Sequence, residues 1–344
     1  MKIDKLWMMG LGLLLPLAGC PGDDGPAETG SNDSTSDGSS TSGTTTTGSS
    51  SSSSESTAGT VDSTGEPETT GGPMACLGTS DAGAAEGEGC AANSECMSGV
   101  CTIFTDVPVN GDAVCAATPP DCATRVTGTV FDFTTREPVG GASVVVAAAL
   151  QAATNPTGAT AIVEGTTNAS GEIDVTSSGP ISAVVGIVGL TSLGGYYLTA
   201  TGLAAPVDGG SDYNVANSIH DIWMVPESDL GDWSDALAMD AMIPGENLPL
   251  GEQGGVVGLV RDAAGAPIGG AVVRSTNAGS GAFIRYLNDD GSFGDVDTSD
   301  LGIFVILAPA LAEVFEVEVG GAVAGSGTAG SADGAIFTLI FNVD

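Results

Sequence analysis

Histidine is all but missing from this chain of 344 residues, lysine occurs only at Lys2 and Lys5, and aromatic residues make up 5 % of the whole. With His220 as the sole imidazole, neither a His-based catalytic triad nor a multi-histidine zinc site can be assembled within one chain. Beyond position 5 the only basic side chains are Arg125, Arg136, Arg261, Arg274 and Arg285. Set against 43 acidic residues they leave a formal net charge of −36, which repels nucleic-acid phosphates and anionic lipid headgroups alike. Nucleic acid is thereby excluded as a partner. The shortage of aromatics means that any core must be built mainly from Val, Ile, Leu and Ala. Long apolar runs are scarce too, and the one at residues 6–17 is too short for a comfortable membrane span.

That run nevertheless has a readable purpose. Lys2 and Lys5 precede it, and it closes on Leu17-Ala18-Gly19-Cys20. This layout is that of an export signal, and the closing tetrad resembles the lipobox of bacterial lipoproteins. The resemblance implies that residues 1–19 are removed and that Cys20 carries a diacylglycerol on sulfur and an acyl chain such as palmitate on its amine. The chain would then meet the membrane through its lipid anchor. Pro21 stands where an aspartate would favour inner-membrane retention, so the expected location is the outer membrane of the cell envelope. From Pro21 to about residue 75 the composition collapses to Ser, Thr, Gly, Asp and Glu. Such a segment cannot offset the entropy of ordering, so residues 20–75 are expected to be a disordered tether with an average reach of about 40 Å.

Six cysteines follow within one short stretch: Cys76, Cys90, Cys96, Cys101, Cys115 and Cys122. An even number in an exported chain fits three disulfides, with 15 pairings open to the sequence. Zinc is the rival reading, disfavoured because paired C-x2-C spacing is absent and no histidine lies near. The spacing Cys90-x5-Cys96-x4-Cys101 is similar to small Dickkopf-type cysteine-rich modules, which assigns residues 76–123 to such a unit.

The remainder is β-rich and repeats itself. Val126-Thr127-Gly128-Thr129-Val130-Phe131-Asp132, then Pro138-Val139-Gly140-Gly141-Ala142, aligns with Val256-Val257-Gly258-Leu259-Val260-Arg261-Asp262, then Pro267-Ile268-Gly269-Gly270-Ala271. A turn follows each copy, Thr167-Asn168-Ala169-Ser170-Gly171 and Thr298-Ser299-Asp300-Leu301-Gly302. Glycine-bearing turns between β-branched runs predict strands, and Phe315-Glu316-Val317-Glu318-Val319 alternates as a half-buried strand does. The fold class expected is therefore mainly β, with two antiparallel β-sandwich domains at residues 124–225 and 252–344. Their pattern resembles the carboxypeptidase regulatory-like domain, a transthyretin-like sandwich. That resemblance implies an accessory module for binding, spacing or stabilisation, with no catalytic residue to carry over. Related sandwiches can cross-link themselves through a lysine isopeptide, which a chain without lysine beyond position 5 cannot do.

Residues 226–251 read as a short helix and linker. Leu230, Trp233 and Leu237 share one helical face, expected to pack on a sheet edge, with Ser228 as the cap and residues 244–255 as the linker. Trp223 and Trp233 are expected to serve the core or the docking of the helix, and on the alternative reading Tyr196, Tyr197, Tyr213 and Trp223 offer a surface for a sugar to stack on. Asn288, Asp290 and Asp297 flank Gly291 and are calcium candidates, although Tyr286 falls where the first aspartate of a helix-loop-helix site belongs. A polar hairpin turn is the plainer account of them. No other cofactor is implied. The function expected is a non-enzymatic, lipid-anchored envelope protein whose sandwiches bind an unidentified protein or glycan or provide structural display. A carbohydrate-binding module or a carboxylate-dependent glycan or peptide hydrolase is the alternative.

Overall fold

The structure, a computed structural model, describes residues 75–103, 113–217 and 220–343. The leader, Cys20 and the tether expected before residue 75 lie outside the described residues. The first described unit is small and held covalently. Strands β1 (Cys101–Thr102) and β2 (Val114–Cys115) pair antiparallel, and disulfides join Cys76 to Cys122, Cys90 to Cys101 and Cys96 to Cys115. A unit with so few large apolar side chains depends on such staples. It docks on the next domain through Val100, Val215 and Ala216, and the Val215 N–H donates to the Leu77 carbonyl at 3.0 Å.

The first lobe contains β3 (Arg125–Asp132), β4 (Ser143–Ala148), helix α1 (Ala149–Thr154), β5 (Val163–Thr166), β6 (Glu172–Thr176), β7 (Ile187–Ser192), β8 (Thr199–Ala204) and β9 (His220–Met224). A sheet ordered β6-β3-β9 faces strands β5-β4-β7-β8. Val130, Val144, Val146, Ile173, Ile187 and Ile222 interdigitate between them, all nearly inaccessible to solvent. Helix α2 (Glu227–Leu237) follows. The second lobe runs through β10 (Val256–Asp262), β11 (Ala271–Ser275), β12 (Phe283–Leu287), β13 (Phe293–Gly294), β14 (Ile303–Leu307), β15 (Glu313–Val319), β16 (Ala322–Ala329) and β17 (Ile336–Val343). Here β11-β15-β16 faces β13-β12-β14-β10-β17.

The sequence repeat is a repeat of hydrogen bonds. In the first lobe the Thr167 hydroxyl accepts from the Ala142 N–H and donates to the Val139 carbonyl, each at 2.9 Å. In the second, Thr298 accepts from Ala271 at 2.9 Å and donates to Ile268 at 2.8 Å. Both threonines are buried, so each hydroxyl satisfies a backbone donor and acceptor that water cannot reach. The glycine closing each motif is equally constrained. Gly302 has φ +65°, and a Cβ there would lie 2.4 Å from the Val260 oxygen that the turn folds against. The threonine and glycine of the T-x-x-x-G pattern thus tie the turn to the first strand and to the P-x-G-G-A segment.

The two lobes are not separate beads. The last strand, β17, lies parallel to β10 on one side and parallel to β8 of the first lobe on the other, with Ile336, Phe337 and Thr338 opposite Thr199, Ala200 and Thr201. One nine-stranded sheet, ordered β13-β12-β14-β10-β17-β8-β7-β4-β5, therefore runs through both. Alongside the expected antiparallel pairings, three are parallel: β3–β9, β10–β17 and β17–β8. The closing strand of each lobe crosses over and returns beside the opening one, which produces the first two of these pairings.

Helix α2 explains why β14 and residues 256–260 of β10 show no polar side chain on either face. Val256, Val260, Phe304 and Ile306 face the inner core of the second lobe, while Val257, Leu259, Ile303, Val305 and Leu307 face Leu230, Trp233 and Leu237 of the helix. A strand buried on both sides shows no alternation. The helix thus covers a sheet face, not the edge expected from its sequence. Its cap differs as well: Pro226 occupies the capping position, and the Ser228 hydroxyl bonds to Asp229 instead of a free backbone N–H. Residues 244–255 also depart from a free linker, since Leu250 is 3 % exposed and its N–H donates to the buried Ser234 hydroxyl at 3.0 Å. A glycine-rich stretch looks like a linker until Leu250 finds a pocket.

Candidate functional site at the lobe junction

Where β9 of the first lobe meets β10 of the second, charge and aromatic surface converge. Arg261 follows the apolar run 256–260 in β10 and is 9 % exposed. Its guanidinium donates to Asp221 of β9 at 2.7 Å and to the Asn342 side-chain oxygen at 2.6 Å, and its central carbon lies 5.6 Å from the centre of the Trp223 ring. Trp223 packs in turn on Phe131 and Phe133 at 5.6 and 5.7 Å, and Phe133 meets Trp233 of α2 edge-on at 6.4 Å. A cation in so dry a place requires its carboxylate partner, and the aromatic face adds a further attraction. The junction is thereby fixed in register by side chains as well as by the sheet.

Two depressions open on the surface. One, of about 230 Å³, lies between α2 and the 249–252 turn and includes Tyr197, Glu227, Ser234, Leu250 and Glu252 in its lining. Burial, then Glu252 and Glu227, push the Tyr197 hydroxyl above its ordinary pKa. The other, of about 500 Å³, lies between the disulfide-held unit and the first lobe, where Arg125 pairs with Asp174 at 2.6 Å beside Pro119 and Pro120.

His220 lies on β9. Burial lowers its pKa to about 4 against the opposing pull of Asp221, and its Nε2 is buried without a hydrogen-bond partner. It is neutral near pH 7, and its neighbours Ser218 and Ile219 lie outside the described residues. The proposed aromatic platform is not assembled. Tyr213 and Trp223 are 4 % and 2 % exposed, Tyr213 donating to the Ala183 carbonyl and Trp223 enclosed at the junction, while Tyr196 donates to Asp132. The calcium candidates sit in and after a tight hairpin turn. Asn288 donates to the Ser292 hydroxyl, and Asp290 accepts from both the hydroxyl and the N–H of Ser292. Asp297 follows β13, outside those bonds. Cys90, Cys96 and Cys101 cluster as a metal site would, but each is held in a disulfide. The sequence did not single out the Arg261–Asp221 pair; an arginine following the apolar run 256–260 was the signal available.

These features define a class: a mainly β protein in which a disulfide-stapled unit precedes two sandwich lobes sharing one sheet. No protein-family model matches the sequence, and no curated protein matches it. Among solved structures, a D295N mutant of the shaft pilin SpaA from Lactobacillus rhamnosus GG is 14 % identical, with 64 % of this chain and 98 % of that one covered, at a TM-score of 0.20. The Bacillus anthracis TIE protein is 10 % identical over 64 % of this chain and 33 % of its own, also at 0.20. A streptococcal ancillary pilin is 15 % identical over 70 % and 67 %, at 0.18. Likenesses this slight carry no argument about fold or role. Among the described residues no helix is long and apolar enough to cross a membrane.

Proposed function

We propose that this chain is a lipid-anchored cell-envelope protein whose two lobes, each a carboxypeptidase regulatory-like domain, act together as one non-catalytic unit for structural display or partner binding. The observation carrying this reading is the nine-stranded sheet that joins the lobes, because a shared sheet holds two modules as a single stiff body. The arrangement of charge supports it. Arg125, Arg261, Arg274 and Arg285 are each committed to an acidic partner, and the one imidazole is neutral with its Nε2 buried, which suits structural work better than proton transfer. The anchor at Cys20 and delivery to the outer membrane complete the proposal, with the acidic tether holding the body away from the lipid surface. The partner in this reading is a protein or glycan, not nucleic acid.

Cell fractionation of a Cys20→Ser variant tests the anchor. The wild type is expected in the membrane fraction and the variant in the soluble one, with mass spectrometry of the native product finding an acylated Cys20. An unmodified start, or unchanged fractionation, overturns it. Assay of the full chain on polysaccharide and peptide panels tests the non-catalytic part. Turnover abolished by one Asp or Glu substitution would establish the hydrolase alternative instead.

A further inference from the structure

Arg136 departs from its surroundings in three independent ways. Four of the five arginines pair with a carboxylate; among the described residues, Arg136 has no ion pair and no side-chain hydrogen bond, and its Nε is buried without an acceptor. A cation left unpaired is unexpected in a chain with 43 acidic residues. Its backbone is also strained, with φ at +64°. The repeat shows what the turn itself prefers there. Arg136 donates its N–H to the Asp132 carbonyl while Asp132 donates to Glu137, and in the second lobe Gly265 donates to Asp262 while Asp262 donates to Ala266. Gly265, at φ +84°, is therefore the structural counterpart of Arg136. Where glycine is the unstrained choice, a large side chain held in the left-handed region points to a use for that side chain.

The surroundings indicate what the use is. Burial, then the positive charge of Arg261, lowers the Arg136 pKa. The Trp223 indole N–H, in the ring beneath Arg261, is a second buried donor without an acceptor. Arg261 is held by Asp221 and Asn342, so the donors left without an acceptor are the Arg136 Nε and the Trp223 indole N–H. The planar fork of arginine matches a carboxylate in two parallel hydrogen bonds. A net charge of −36 repels polyanions, so a singly charged group on an otherwise neutral ligand fits best. We propose that Arg136, with the neighbouring Arg261 and the Trp223 indole, forms a binding site for a carboxylate-bearing ligand at the lobe junction.

The test is a titration of the full mature chain followed by the indole N–H resonance of Trp223, with that of Trp233 as internal control. Acetate, N-acetylglycine and glucuronate are the probes, standing for a bare carboxylate, a peptide C-terminus and an acidic sugar; inorganic phosphate and sodium chloride at matched ionic strength are run beside them. At least one carboxylate is expected to shift Trp223 saturably, with a dissociation constant on the order of 1 mM. Arg136→Gly, which adopts the backbone of the repeat, is expected to keep or raise the melting temperature while weakening binding about tenfold or more. Arg136→Lys should retain part of the affinity. No carboxylate shift beyond that of chloride, or equal binding by Arg136→Gly, overturns the site. Phosphate binding as tightly as every carboxylate overturns its selectivity.

Discussion

Replacing Thr298 by valine tests the repeated hydrogen-bond motif at its centre. The substitution conserves volume, so it opens no cavity. What it removes is a hydroxyl that accepts from Ala271 at 2.9 Å and donates to Ile268 at 2.8 Å in a site that is 2 % exposed. Both backbone groups are then buried without partners, at about 1–3 kcal/mol each, so the loss should total about 2–6 kcal/mol. In a body of this size that corresponds to a fall in melting temperature of roughly 4–24 °C. Thr298→Ser keeps the hydroxyl and deletes one methyl, costing only about 1 kcal/mol. Urea titration and thermal melting of the mature chain measure both. The same order, valine worse than serine, is expected at Thr167. A Thr298→Val protein as stable as wild type, or serine proving the worse change, would refute the assignment.

Further outcomes follow from other parts of the structure. Arg261→Ala should cost about 2–4 kcal/mol by calorimetry, because it leaves Asp221 and the Asn342 oxygen without their donor and strips the face of Trp223; a change within 0.5 kcal/mol would contradict a structural role for the junction pair. His220 has its pKa lowered from 6.5 to about 4, so the unfolded chain takes up a proton the folded one refuses. Its stabilisation is fully present above pH 6.5 and lost as pH falls toward 4, by up to about 3 kcal/mol, and urea unfolding across that window should be shallower in pH for His220→Gln. Gly302→Ala forces a side chain into φ +65° with its Cβ 2.4 Å from the Val260 oxygen, and a loss above about 2 kcal/mol is expected in the same urea assay. Reduction with dithiothreitol should expose residues 76–122 to protease while both lobes remain resistant, since only the former unit rests on disulfides.

Much of this fold was legible because the two copies annotate each other. Threonine, glycine and proline recur at matching offsets, and each proved to have the same backbone partner in both lobes. The burial of Trp223 and Trp233 also followed from sequence. The joining of the lobes did not. Thr199, Ala200 and Thr201 carry no mark that another strand will lie beside them, because main-chain pairing is indifferent to side-chain type. The two-sided burial of β14 was visible as Ile303-Phe304-Val305-Ile306-Leu307, yet nothing local says that a helix supplies the second cover. The charged site was the least legible part. Arg136 becomes conspicuous only beside Gly265, when the backbone angles of the two turns are known.

Scanning calorimetry of the mature chain under oxidising conditions measures most directly whether the lobes form one body. The shared sheet predicts a single cooperative transition for residues 124–343, lowered as a whole by either Thr167→Val or Thr298→Val. Two separable transitions, each responding to only one of those substitutions, would contradict it.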